Sequence, residues 1–300
     1  METKISFWFA NHVAPRYLQP LFLQFEYGIW YSSVDMREML HQNGIPIEGS
    51  NITGANIDMW SLLKLGEKKV ENAGGRKNYF KINQLGKQFQ EIYSTNQELF
   101  FDLMHYMMYA AWQRTKNPRY ARLWLYASVC NNLWDSAPSA TDSLGIAGSL
   151  QVEAQKTFPK YEPKFPERSI TAVFPWLGAL TPPFLIKETS RPQLFSKKRQ
   201  SCSPQLFHLA LDLLYCEKQL KYGTSVAIAE NEIRSVCRVC LLDDSKFWEM
   251  ADRTRMFVRG VDIRRGQFST SIALEMKPQW IDLPDYADEI EFDGFEGEEQ

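Results

Sequence analysis

Helix, turn, helix, glycine-tipped hairpin, helix is the order of elements legible in residues 33–92, and a second helix-then-hairpin unit runs through residues 229–274. With continuous helical spacing over 97–134, this order predicts a mainly α fold with small β-hairpins. In that fold, winged helix-turn-helix units are joined by a helical core. The two units repeat an architecture without repeating a sequence.

Residues 5–30 carry Phe7, Trp8, Phe9, Tyr17, Phe22, Phe25, Tyr27 and Trp30, punctuated by Pro15 and Pro20. They read as a short strand or extended arm, then a helix near 19–30. Ser33 is of a type that caps the next helix, whose apolar face holds Met36, Met39 and Leu40 before Gly44 and Pro46 end it. Asn51 or Thr53 opens another helix, with Ile57, Trp60, Leu63 and Leu65 at helical spacing. The period then changes. Residues 68–72 and 78–82 read as strands around the turn Ala73-Gly74-Gly75-Arg76, and Asn83 caps a helix with Leu85, Phe89 and Ile92.

Two helices fill 97–134. Their stripes are Leu99, Leu103, Tyr106, Met107 and Leu123, Tyr126, Cys130, Leu133, separated by Asn117-Pro118. Residues 135–149 are small and polar and read as a linker. The expected organisation is therefore an N-terminal domain 1–134, a C-terminal domain 150–280 and an acidic tail 281–300. Residues 159–166 read as an extended connector. Ser169 caps a short helix that Pro182-Pro183 stops. Residues 187–203 read as a basic loop centred on Lys197-Lys198-Arg199. Helices at 204–221, 229–241 and 244–256 follow, with a short strand at 225–228. A hairpin then joins 257–263 to 268–274 through Arg264-Arg265-Gly266-Gln267.

Composition narrows the function classes. Hydrophobic residues make up 44%, enough for a packed core and too much for a disordered chain. No run of about 18 apolar residues occurs, so no membrane span is expected, and the first residues lack the pattern of a secretory signal. Five cysteines, an odd number, read as reduced thiols in a cytoplasmic protein. The net charge of −2 hides an asymmetry: residues 281–300 hold nine acids and no Lys or Arg, which leaves +7 on the rest. Such a tail is either a solvated end or a segment that competes with nucleic acid or docks on a basic partner.

The first hairpin region is the most charged part of the body. Residues 60–88 hold seven cations against two acids. Lys64, Lys68, Lys69, Arg76, Lys77 and Lys81 are candidates to neutralise phosphates. Asn51, Thr53 and Asn56 are of types that hydrogen-bond phosphates or base edges. Lys197, Lys198, Arg199, Arg264 and Arg265 complete the candidate nucleic-acid contacts. The alternative is a packing module with a solvated charged face. Cys237-x-x-Cys240 stands alone inside a helical run, where structural zinc sites usually show two tight pairs, so no metal is expected. His105 and His208 lie on apolar helices and read as core. Asp243-Asp244, Asp135 and Asp142 suit helix N-termini as well as metal ligation. No catalytic set or phosphate-binding loop is recognisable, and no cofactor is expected.

Three places resemble a bacterial family encoded beside phosphoadenosine-phosphosulfate-reductase-like genes in DNA phosphorothioation and phage-defence loci. The opening Phe9-x-x-His12-x-x-Pro15-Arg16-Tyr17 is similar to that family's start, although Gln19-Pro20-Leu21 departs from it. The run Gly54-Ala55-Asn56-Ile57 with Trp60 resembles its G-x-x-x-V…W helix. Leu85-Gly86 and Leu103-Met104-His105-Tyr106 with Trp112 resemble a later stretch. The likeness covers mainly residues 7–135 and implies a role in DNA-linked defence. The expected function is thus a non-catalytic DNA- or RNA-binding subunit or adaptor with protein partners. The alternatives are a metal-dependent nuclease and a protein–protein interaction subunit without nucleic-acid contact.

Overall fold

A computed structural model describes residues 6–45, 52–72, 77–187, 193–266, 270–284 and 286. Chain order sets out the elements. Short 3₁₀ turns at Pro15–Tyr17 and Phe22–Gln24 lead into β1 (Trp30–Ser32), α1 (Ser33–Gln42) and α2 (Ile52–Leu62). The strands β2 (Gly66–Glu71) and β3 (Lys77–Ile82) precede α3 (Gln84–Thr95), α4 (Gln97–Thr115) and α5 (Ala121–Ser136). Next come β4 (Ser139–Ala140), α6 (Ser143–Thr157), α7 (Glu167–Thr171), α8 (Phe174–Gly178), β5 (Leu185–Lys187) and β6 (Leu194–Ser196). The chain continues through α9 (Pro204–Glu217), β7 (Ser225–Ala227), α10 (Glu230–Cys240), α11 (Phe247–Phe257), β8 (Val261–Arg265) and β9 (Thr270–Leu274).

The protein is mainly helical, with small three-stranded antiparallel sheets. The three sheets among the described residues share one strand order, β1-β3-β2, β4-β6-β5 and β7-β9-β8. In each, the first strand pairs antiparallel with the last, which lies in the middle, and the helices are inserted between the first and second strands. The topology therefore occurs three times in tandem, where the sequence suggested two units.

Helix ends follow the local chemistry. Ser32, one residue before the expected cap, accepts from Val34 and Asp35 backbone N–H, and Asp35 accepts back from Ser32 N–H. Asn83 caps α3 through Gly86 N–H. Gly86 is required there, because a Cβ would overlap the Leu65 carbonyl oxygen and the Ile82 side chain. The long helices α4 and α5 run through the interior and pack on each other, and α4 also packs on α9. One buried cluster extends from Phe7 to Tyr286. Around Trp60 it is aromatic, with Phe22, Phe25 and Phe80 at 5.5–5.6 Å between ring centroids.

Several expectations are corrected. In place of a helix, residues 19–30 hold a 3₁₀ turn and the first residue of β1, since Pro20 interrupts them and Gly28 takes a left-handed φ of 82°. The expected linker 135–149 contains β4 and the start of α6, which Asp142 caps through Gly145 N–H. Ser169 lies buried within α7, and Trp176 belongs to a separate helix, α8. The expected basic loop takes in the last residue of β5 and all of β6, which close the second sheet. Phe257 ends α11 and does not open the hairpin. The acidic residues from Ala287 onward lie outside the described residues.

Candidate nucleic-acid interface

The residues of the first unit divide into buried and locally paired. Nine of the eleven residues of α2 are buried, so this helix offers little surface to a ligand. Thr53 and Asn56 are among them. Asn56 donates its amide to the carbonyls of His12 and Ile52, both at 2.8 Å. These two are corrected from ligand contacts to packing residues. Lys64 is half-buried at a left-handed φ of 59°, and its carbonyl accepts from Asn83 Nδ2. On the hairpin, Lys68 pairs with Asp58 at 2.6 Å, Lys69 with Glu71 at 2.6 Å and Lys81 with Glu67 at 3.1 Å. Lys81 also lies 4.9 Å over the Trp30 ring. Hydrogen bonding to Glu71 holds the Lys69 ammonium above its usual range. The net field of this hairpin is weaker than its lysine count implies. Lys77 is exposed on β3. Asn51 and Arg76 lie outside the described residues.

The Lys197–Arg199 run is split by direction. Lys197 is exposed. Lys198 lies 3.7 Å over the buried Trp134 ring and 3.5 Å from Asp244. Arg199 points inward and is buried, which corrects its place among the candidate nucleic-acid contacts. Its Nη2 stands 2.8 Å from Asp102 Oδ1 and donates to the Thr181 carbonyl at 2.7 Å. Asp102 Oδ2 accepts from Ser203 N–H at 2.7 Å. The reason is backbone geometry: Arg199 N–H donates to Leu241 O and Asp243 N–H to Arg199 O, a bridge that turns the side chain into the core.

Arg264 and Arg265 sit on β8 and not at the hairpin tip. Both are paired, Arg264 with Asp262 at 2.8 Å and Arg265 with both carboxylate oxygens of Asp252 at 2.6 and 2.8 Å. The same unit holds cations outside the set expected from the sequence. In α11, Phe247, Met250, Ala251 and Thr254 are buried at helical spacing. That stripe turns Arg253, Arg255, Met256 and Phe257 outward, and Arg259 follows in the next turn of chain. The three arginines are exposed and form no ion pair among the described residues. Met256 and Phe257 are 75% and 68% exposed, and Met276 lies beside Gly260. The pattern Arg-x-Arg-Met-Phe-x-Arg over 253–259, read against the buried stripe, is the sequence signal for this surface.

His105 and His208 are buried. His105 bonds Tyr126 Oη at 2.9 Å and the Val239 carbonyl at 2.8 Å. Burial lowers both imidazoles to a pKa of about 4. Cys130, Cys202, Cys237 and Cys240 are buried and Cys216 is exposed. Among the described residues, no three His, Cys, Asp or Glu side chains come together as a metal-ligand group. No helix among them is long and apolar enough to cross a membrane. No family model, curated protein or solved structure matches the chain.

Proposed function

We propose that the protein is a non-catalytic nucleic-acid-binding subunit or adaptor, and that its third unit makes the contact. The observation that carries this reading is the trio Arg253, Arg255 and Arg259, exposed on one stretch and without an ion pair among the described residues. Arginine donors in a fork match phosphate oxygens. The unit's strand–helix–helix–hairpin order supports a winged-helix reading, in which α11 holds the place of the groove-entering helix. The setting, a prokaryotic DNA-modification or antiphage-defence system in the cytoplasm, rests on the family resemblance.

The test is a titration of labelled duplex and single-stranded oligonucleotides, read by anisotropy at several salt concentrations. The parent chain binds at low salt, and a variant with Arg253, Arg255 and Arg259 changed to Ala loses most of that affinity. Equal affinity in parent and variant overturns the reading. A protein–protein role is the second reading, favoured by exposed Met256 and Phe257. It is distinguished by partner capture that persists at high salt, where binding to phosphates fades.

A further inference from the structure

Four helices line an open polar cleft of about 350 Å³, none of whose lining residues lies on α11. Tyr109 and Gln113 stand one turn apart on α4, Asn131 faces them from α5, and Glu217 ends α9. The α10 wall presents Asn231, Arg234, Ser235 and Arg238, which share one helical stripe. Of the lining residues only Val239 has a side chain without a hydrogen-bonding group.

The donors in this cleft outnumber their partners. Tyr109 Oη donates to Asn131 Oδ1 at 2.6 Å, which fixes the Asn131 amide and leaves its NH₂ free among the described residues. Lys116 Nζ donates to Gln113 Oε1 at 2.6 Å and leaves that NH₂ likewise. Arg234 and Arg238 both place Nη2 on Asp135, at 3.0 Å and at 2.8 and 3.1 Å. Three cations, Arg234, Arg238 and Lys116, stand against the two carboxylates Asp135 and Glu217, which leaves one positive charge over. Arg238 Nε is buried without a hydrogen-bond partner. Lys198 joins the two arginines around the Trp134 ring, at 3.7, 5.5 and 5.3 Å. On the acceptor side, Glu217 takes one long hydrogen bond from Ser235 Oγ, at 3.4 Å.

We propose that this cleft binds a phosphate monoester carried on a hydroxylated group, as in a sugar phosphate or the phosphorylated end of a nucleic-acid strand. A monoester presents three terminal oxygens and close to two charges, which suits several converging donors and a surplus cation. The Glu217 carboxylate accepts from a hydroxyl of the carrier. The volume admits a ligand of that size and excludes a duplex. The inference does not rest on the α11 reading, because the two surfaces share no residue.

The experiment is calorimetric titration of the full chain with ribose 5-phosphate, inorganic phosphate and ribose. Ribose 5-phosphate binds, inorganic phosphate binds more weakly, and ribose does not bind. Arg238→Gln weakens ribose 5-phosphate about tenfold or more, the scale of one charge-assisted hydrogen bond. Asn131→Asp keeps the acceptor for Tyr109, adds a negative charge to the cleft and abolishes binding, so it serves if Arg238→Gln fails to fold. The alanine variant of Arg253, Arg255 and Arg259 binds ribose 5-phosphate as the parent does, which separates this site from the α11 reading. Competition by a 5′-phosphorylated but not a 5′-hydroxyl oligonucleotide identifies a strand end as the source. Absence of competition identifies a free sugar phosphate. No binding of ribose 5-phosphate by the folded parent, or unchanged affinity in folded Asn131→Asp, overturns the proposal.

Discussion

Replacing Arg199 with Met strips the counter-charge from Asp102, whose side chain is completely buried. The carboxylate keeps one hydrogen bond, from Ser203 N–H, and the Thr181 carbonyl loses its guanidinium donor. Removing one partner of a buried pair costs about 3–5 kcal/mol, because the other charge stays in a low-dielectric site. Unfolding entropy near 2.1 cal/mol/K per residue, taken over this chain length, gives roughly 0.6 kcal/mol/K. The Tm should therefore fall by roughly 5–8 °C. Urea unfolding followed by tryptophan fluorescence measures the free energy directly. Lys197→Met, at the exposed neighbour of Lys198, should stay within about 0.5 kcal/mol of the parent. The double variant Arg199→Met, Asp102→Leu should recover much of the loss, since a buried ion pair is often replaced by apolar groups at little cost. If Arg199→Met leaves stability within about 1 kcal/mol of the parent and lowers nucleic-acid affinity, the inward placement of Arg199 is refuted.

Charge removal at Arg253, Arg255 and Arg259 should flatten the salt dependence of duplex binding by about 2.7 in logarithmic slope, roughly 0.9 for each phosphate no longer neutralised; an unchanged slope contradicts their role. Ending the chain after Tyr286 keeps the Tyr286 ring against Tyr120 and removes seven acids. Binding to nonspecific nucleic acid should tighten at low salt and the gain should fade at high salt, so equal affinities at low salt exclude self-competition by the tail. The imidazoles of His105 and His208 have a folded pKa of about 4, below the free value near 6.5, so the unfolded chain takes up protons first as the pH falls. Their contribution to stability is complete above about pH 6.5 and is lost toward pH 4, by up to about 3 kcal/mol each; imidazole NMR signals that shift between about pH 8 and 5 contradict this. For His105 the environment includes Tyr126, Arg199 and Asp102, all buried with it. One thiol, Cys216, should react rapidly with a disulfide reagent in the native chain and five in denaturant.

Helical elements with a strong stripe and a side-chain cap are legible in the sequence. Asn83 with Leu85, Phe89 and Ile92 announces α3, and the Cys237–Cys240 turn of α10 lies in the core as its helical setting implies. The middle sheet is not legible, because its strands are two or three residues long and too short to show alternation. Asn56 and Arg199 mislead for a common reason. A polar residue within a run declares its type but not its direction, and their partners lie far away in sequence, at His12 and Asp102. The α11 arginines show the reverse, since the buried stripe that orients them is itself readable. The polar cleft draws its residues from four helices, and no local pattern joins Tyr109 to Asn231.

The placement of the last strand in the middle of each sheet has a consequence for synthesis. Trp30 meets Lys81, Ser139 meets Ser196 and Ser225 meets Ala273, so every opening strand waits about 50 residues for its neighbour. At 5–20 residues per second that delay is roughly 3–10 s. Asp102 waits about twice as long for Arg199, and until then α4 carries a carboxylate on a surface that the finished protein buries. Nascent chains stalled between these two residues should therefore hold α4 solvated and expose it to protease. Those stalled beyond Arg199 should protect it.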